Sequence, residues 1–166
     1  NSFSNPYKQV NIVGTASCHS MTWTPDAYAP VLTGNKLSAL NIYGSLTLSN
    51  ALNWQFNGTL NFKSSQKNNT ITTGTCKPGN ITFNGVGSWK LKDALLLSPA
   101  SVLTINSGSI YANGNTIDCS VLNITGIGKK LLNLSNSTLM VEQQFNQANA
   151  QNFKGTYTHC NIYYIH

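Results

Sequence analysis

Leu40-Asn41-Ile42, Leu60-Asn61-Phe62, Ile81-Thr82-Phe83, Leu103-Thr104-Ile105 and Leu122-Asn123-Ile124 repeat one apolar–polar–apolar phrase through the middle of the chain. The first residues of successive phrases lie 20, 21, 22 and 19 positions apart. Alternation of period two inside a phrase is the pattern of a half-buried strand. Recurrence at about 20 residues is the pattern of a stacked solenoid. A second set of short strands is legible between the phrases: Leu46-Thr47-Leu48, Trp89-Lys90-Leu91, Ile110-Tyr111-Ala112 and Leu132-Asn133-Leu134. Turn pairs such as Asn84-Gly85 and Asn113-Gly114 separate them. The fold expected is all-β, a parallel β-solenoid of about 20 residues per coil. A leucine-rich repeat has a similar period but wants an apolar residue three positions before each phrase. Leu37 supplies one, whereas Asn57, Pro78, Ala100 and Cys119 follow at the equivalent places.

A single coil cannot bury its own inward Leu, Ile and Phe, so stacking must close the core. The middle residues Asn41, Asn61, Thr82, Thr104 and Asn123 then form an outward polar ladder, one rung per coil, able to hydrogen-bond along its length. Residues 36–141 are expected to be regular coils. Residues 1–35 are expected to supply an N-terminal strand (Val10-Asn11-Ile12) and a loop or cap insertion around Cys18 to Asn35. Residues 142–166 are expected to form an irregular turn or short helix over Glu142 to Gln151, then a final strand at Ile162-Tyr163-Tyr164. The whole reads as one domain.

Of the 166 residues only 8% are charged, against roughly 25% in ordinary soluble chains. There are 23 Asn, ten Lys and no Arg. The net charge of +6 reflects the scarcity of acids. Without Arg the chain lacks the bidentate reader of phosphate and guanine, and its Lys are scattered, so nucleic acid is not an expected partner. No stretch of about 18 apolar residues occurs, so no membrane span is expected. Asn1 stands where an initiator Met would, which reads as a processed or excised form.

Cys18, Cys76, Cys119 and Cys160 are 58, 43 and 41 residues apart, with no CxxC pair. An even number in a charge-poor, Asn- and Thr-rich chain suggests extracellular disulfides, with three pairings open. The competing reading makes Cys76, Cys119 and Cys160 small buried apolar residues. Asp93, Asp118 and Glu142, spaced 25 and 24 residues apart, invite a test for aligned carboxylates. The structural reading of these acids is favoured, and no catalytic residue, metal site or cofactor is expected. For ligand contact the candidates are Trp23, Tyr28, Tyr43 and Trp54, flat faces for sugar rings, although a packed Trp is the commoner outcome.

The successions Cys18-x-Ser20-Met21-x-Trp23-Thr24, Leu40-Asn41-Ile42-Tyr43-Gly44-Ser45-Leu46-Thr47, Ile81-Thr82-Phe83-Asn84-Gly85-Val86-Gly87-Ser88-Trp89-Lys90-Leu91-Lys92-Asp93-Ala94-Leu95 and Asn152-Phe153-Lys154-Gly155 are spread from one end of the chain to the other. They resemble repeats of very large secreted surface proteins of Bacteroidota, adhesin-like proteins exported by the type IX route and in some cases linked to gliding motility. The resemblance implies a repetitive, non-enzymatic role at the cell surface and transfers no binding residues. The expected function is a stalk or adhesin segment. Its expected partners are polysaccharide or an abiotic surface, together with neighbouring repeats of the same polypeptide. The alternatives are a carbohydrate-binding module using exposed Trp, Tyr and Asn, and a remnant of a β-helix polysaccharide lyase or hydrolase.

Overall fold

The five phrases stack in the register that their alternation predicts. Leu40, Leu60, Ile81, Leu103 and Leu122 are strand partners in succession, as are Ile42, Phe62, Phe83, Ile105 and Ile124. The computed structural model describes residues 9–24, 29–147 and 150–165. It is an all-β parallel solenoid of about seven turns, about 22 residues each, with no helix among the described residues.

Each turn has three sides, and the strands are numbered β1 to β19 in chain order. Side one stacks β2 (Thr15–Cys18), β5 (Ala39–Ile42), β8 (Thr59–Phe62), β10 (Ile81–Phe83) and β13 (Val102–Ile105). The second halves of β15 (Thr116–Ile124) and β17 (Thr138–Asn146) complete it. Side two stacks β3 (Met21–Thr22), β6 (Leu46–Thr47), β9 (Asn69–Thr72), β11 (Ser88–Leu91), β14 (Gly108–Tyr111), β16 (Lys130–Asn133) and β18 (Phe153–Thr156). Side three begins with β1 (Gln9–Ile12), β4 (Val31–Gly34) and β7 (Asn53–Phe56). It resumes with β12 (Leu95–Leu96), the first halves of β15 and β17, and β19 (Asn161–Tyr164). Between β7 and β12 the side is interrupted by the turn-rich stretch 73–80, where Pro78 has no N–H to give a ladder. There the Asp93 carboxylate accepts the N–H groups of Thr73 at 2.9 Å and Gly74 at 2.6 Å.

The core is the axis of this coil. Both inward files of side one are buried in all five phrases. Phe62 stacks on Phe83 with ring centroids 4.9 Å apart, and Trp89 meets both rings edge-on. Trp89 points inward, as its alternation with Leu91 predicts, and its Nε1 donates to the Gly44 carbonyl at 3.2 Å. Corners are tight, and the abundant Asn serves them. Asn68, Asn113, Asn136 and Asn152 all adopt positive φ, a conformation that Asn tolerates better than most side chains. At Gly108, with φ +91°, an added Cβ would lie 2.4 Å from the Gly85 carbonyl oxygen of the turn below, so only glycine fits.

Two expectations need correction. Within 1–35, Val10-Asn11-Ile12 is strand as expected, but the stretch from Cys18 to Asn35 is not all loop or cap: residues 9–22 make a full turn in which Val10 pairs with Leu32, Ala16 with Leu40 and Met21 with Leu46, and β4 opens the next turn, while residues 25–28 lie outside the described residues. The phrase of that full turn, Ala16-Ser17-Cys18, is built of small residues and so lacks the apolar signature. The section expected as helix or turn over Glu142 to Gln151 is strand as far as Asn146 and a turn at Gln151, with residues 148–149 outside the described residues, and Gln144-Phe145-Asn146 pairs with Val121-Leu122-Asn123 beyond a bulge at Cys119/Val121. That bulge lets one strand turn the corner from side three to side one.

Candidate functional site

Side one carries the predicted polar file, half-buried along most of its length, with Ser17 exposed and Asn41 buried at 7% exposure. Asn41, Asn61, Thr82, Thr104 and Asn123 are strand partners in order, and the file extends to Ser17 at one end and Asn146 at the other. Asn41 Nδ2 donates to Ser17 Oγ at 3.2 Å, Asn61 Nδ2 to Asn41 Oδ1 at 3.1 Å, and Asn146 Nδ2 to Asn123 Oδ1 at 2.8 Å. Seven rungs at the inter-strand spacing of about 4.8 Å make a flat face about 29 Å long. Asn side chains suit it because one amide both donates and accepts.

Beside the ladder runs a second file, at the corner between sides one and two: Tyr43, Lys63, Asn84, Asn106 and Thr125. Each N–H donates to a carbonyl one turn below, at Cys18, Ile42, Phe62, Phe83 and Ile105 respectively, over 2.8–3.1 Å. Tyr43 is 43% exposed at one end of this file. At the other end Asn84, Asn106, Ser107, Thr125, Gly126, Ile127 and Gly128 line a shallow open concavity of about 460 Å³. The loop forming one wall is braced from within. The buried Lys130 sends Nζ to the carbonyls of Gly126 at 2.8 Å and Gly128 at 2.6 Å, and its enclosure lowers the pKa of the ammonium. This second file escaped the sequence reading because it follows each phrase immediately and is chemically mixed.

The remaining candidates part company. Trp54 lies half-buried on the inward side of β7, edge-on to Phe56 at 5.9 Å, with its Nε1 enclosed and unbonded. Trp23 is half-buried against the core, and its N–H donates to the Thr47 carbonyl at 2.8 Å, continuing the pairing of β3. Neither is the open platform expected for a sugar ring; alternation and stacking turned both indoles toward the interior. Tyr28 lies outside the described residues.

None of the four cysteines is bridged. Cys18 belongs to the first turn and Cys160 stands beside β19 in the last, some 30 Å away along the stack at about 4.8 Å per turn, far beyond the reach of a disulfide. Cys76 and Cys119 are buried, their thiols directed at backbone carbonyls. Burial, with Asp118 and Glu142 nearby, pushes the Cys119 thiol up to about 12.

The acids do not form a file. Asp118 pairs with Leu96, three residues beyond Asp93, and Asp93 is engaged in capping the interruption of side three. Glu142 sits in the bulge and accepts from Ser120 Oγ at 2.7 Å. Burial, then the Glu142 charge, raises the Asp118 carboxyl above the usual range, while Lys77 acts to lower it. Among the described residues no three His, Cys, Asp or Glu are placed to hold a metal ion, and no helix is long and apolar enough to cross a membrane. No protein-family model, curated protein or solved structure matches this chain.

Proposed function

We propose that the chain is a non-enzymatic stalk or display segment of an extracellular adhesin-like surface protein, making contact through side one with polysaccharide or an abiotic surface. The observation that carries this reading is the polar ladder: an uncharged, hydrogen-bonding file held straight by an unbroken parallel sheet. A rigid backbone fixes the rungs before contact, so little conformational entropy is lost on binding. Each rung is weak alone, and attachment comes from many rungs and many segments acting together. Export, surface anchoring and a link to gliding belong to the same proposal and rest on the family resemblance.

The test is retention of the purified chain on polysaccharide-coated and bare silica beads. The expected result is binding that falls at least fivefold in Asn61→Ala/Thr82→Ala/Thr104→Ala and is unchanged in Asp118→Ala or Glu142→Ala. Loss of binding only in the acid variants would sink this reading and favour the lyase or hydrolase alternative. A carbohydrate-binding module is the second reading, favoured by the exposed Tyr43 beside the ladder. It expects saturable binding of a soluble oligosaccharide that Tyr43→Ala abolishes.

A further inference from the structure

The fold gathers charges that the sequence scatters. Among the described residues, no strand of side two contains Asp or Glu. Lys90 and Lys154 stand outward and exposed on β11 and β18, and Lys67 and Lys129 are exposed just before β9 and β16. The chain has four acids. Asp26 lies outside the described residues; Asp93 stands at the break of side three, Asp118 on side three and Glu142 at its corner with side one. Asp93 and Glu142 bond to Thr73, Gly74 and Ser120, and among the described residues no carboxylate bonds to any of the four lysines. One side of the coil is therefore cationic, and another holds the acids.

At about 4.8 Å per turn, the four lysines are spread over about 19 Å of the axis, in steps of about 5, 10 and 5 Å. No step is longer than the Debye length of about 10 Å at 0.1 M salt, so the potentials add into one field. Neutral groups fill the face between them. Lys90 is the strand partner of Thr70 on one side and of Tyr111 on the other, and Tyr111 is followed by Asn133 and Thr156. Thr70, Tyr111, Asn133 and Thr156 are half-buried, held by the sheet with part of each open to the outside. Cations, hydrogen-bonding groups and one aromatic ring thus share a single flat face.

We propose that the outer face of side two binds a carboxylated polysaccharide laid along the solenoid axis, with its carboxylates on Lys67, Lys90, Lys129 and Lys154 and a sugar ring against Tyr111. A lysine ammonium is a hydrated point charge, which meets a carboxylate without the bidentate geometry that Arg offers to phosphate. A face with four Lys, in a chain with no Arg, therefore suits uronate-type sugars better than nucleic acid or phospholipid. Thr70, Asn133 and Thr156 supply donors and acceptors for sugar hydroxyls, and the Tyr111 ring takes the apolar side of a sugar. Each ion pair is weak in water; four on one rigid face act together. Side one takes no part in this contact, so the two surfaces are separable.

The experiment is biolayer interferometry of the full chain on immobilised polygalacturonate at 50 mM and 300 mM NaCl. Saturable binding is expected at the lower salt, at least tenfold weaker at the higher one and at least tenfold weaker on the fully methyl-esterified polymer. Lys90 and Lys154 are exposed, so substituting them leaves the core intact. Lys90→Gln/Lys154→Gln should weaken binding at least fivefold, and Tyr111→Ala at least threefold. Lys36→Gln/Lys77→Gln removes the same charge away from side two and should change it less than twofold. The side-one variant Asn61→Ala/Thr82→Ala/Thr104→Ala should likewise bind as the parent does. No binding at the lower salt, equal weakening in the two lysine pairs, indifference to esterification, loss in the side-one variant, or tighter capture of single-stranded DNA or anionic vesicles at the same salt would each overturn the proposal.

Discussion

Phe83→Ala tests the inward–outward alternation most directly. Phe83 is fully buried, stacked on Phe62 at 4.9 Å and edge-on to Trp89 at 5.2 Å, so its removal opens a hole beside two rings. Truncating a buried Phe to Ala costs about 3–5 kcal/mol, and two aromatic contacts place this site near the middle of that range, about 4 kcal/mol. In a stack where each turn touches only its neighbours, the loss falls on the junctions above and below β10. With a urea slope of about 2 kcal/mol per M, the midpoint should drop by about 2 M. The companion variant is Thr82→Ala, one residue away on the outward face, expected to stay within about 0.5 kcal/mol. The double variant Phe62→Ala/Phe83→Ala should show a coupling of about 1 kcal/mol. The assay is urea denaturation followed by circular dichroism. Equal losses at residues 82 and 83, or a loss below about 1 kcal/mol at Phe83, would refute the packing argument.

Gly108→Ala should destabilise by about 2 kcal/mol or more, because the new Cβ meets two carbonyls and the backbone is at positive φ. A melting temperature lower by roughly 6 °C in calorimetry is the expected sign. Asp118→Asn should melt higher than the parent at pH 7. The folded carboxyl titrates above its ordinary 3.8, so the stability linked to its protonated form is present below 3.8 and lost as pH rises through the folded value. The advantage of the variant should therefore shrink as pH falls toward 3.8; an advantage that widens in acid would contradict the assignment. In native protein at pH 8, a thiol reagent should label Cys18 and Cys160 first and leave Cys119 and Cys76 intact until urea is added. Rapid labelling of Cys119 in the folded chain would show that β15 is not closed.

The sequence carried the fold wherever large apolar residues alternated with polar ones. The five phrases predicted strand, side and register together, because a parallel stack with matched rows has no second way to bury Leu and Phe on alternate positions. The first turn was missed for a physical reason: Ala16 and Cys18 are small, so the apolar–polar–apolar mark is faint there. Glu142 to Gln144 misled in the opposite sense. Their side chains lie at a corner of the seventh turn, are exposed, and need not alternate, so a strand reads there like a polar helix. Of the candidate site, Asn41 through Asn123 were legible as a ladder, whereas for Trp23 and Trp54 the sequence offered both a packed and an open placement, and the structure has them half-buried against the core. An aromatic residue between coils carries no mark of direction until the side it belongs to is known.

The break in side three has a mechanical consequence. Where Asp93 stands in for strand pairing at Thr73 and Gly74, neighbouring turns are joined by ladders on two sides, and on the third by Asp93, by Thr73 Oγ1 to the Ala94 carbonyl and by Ser98 to the Pro78 carbonyl rather than by a ladder. Tension along the axis would concentrate at this seam, and the protein should yield there before anywhere else. It would come apart as two shorter spools with their windings intact rather than unravel from a tip.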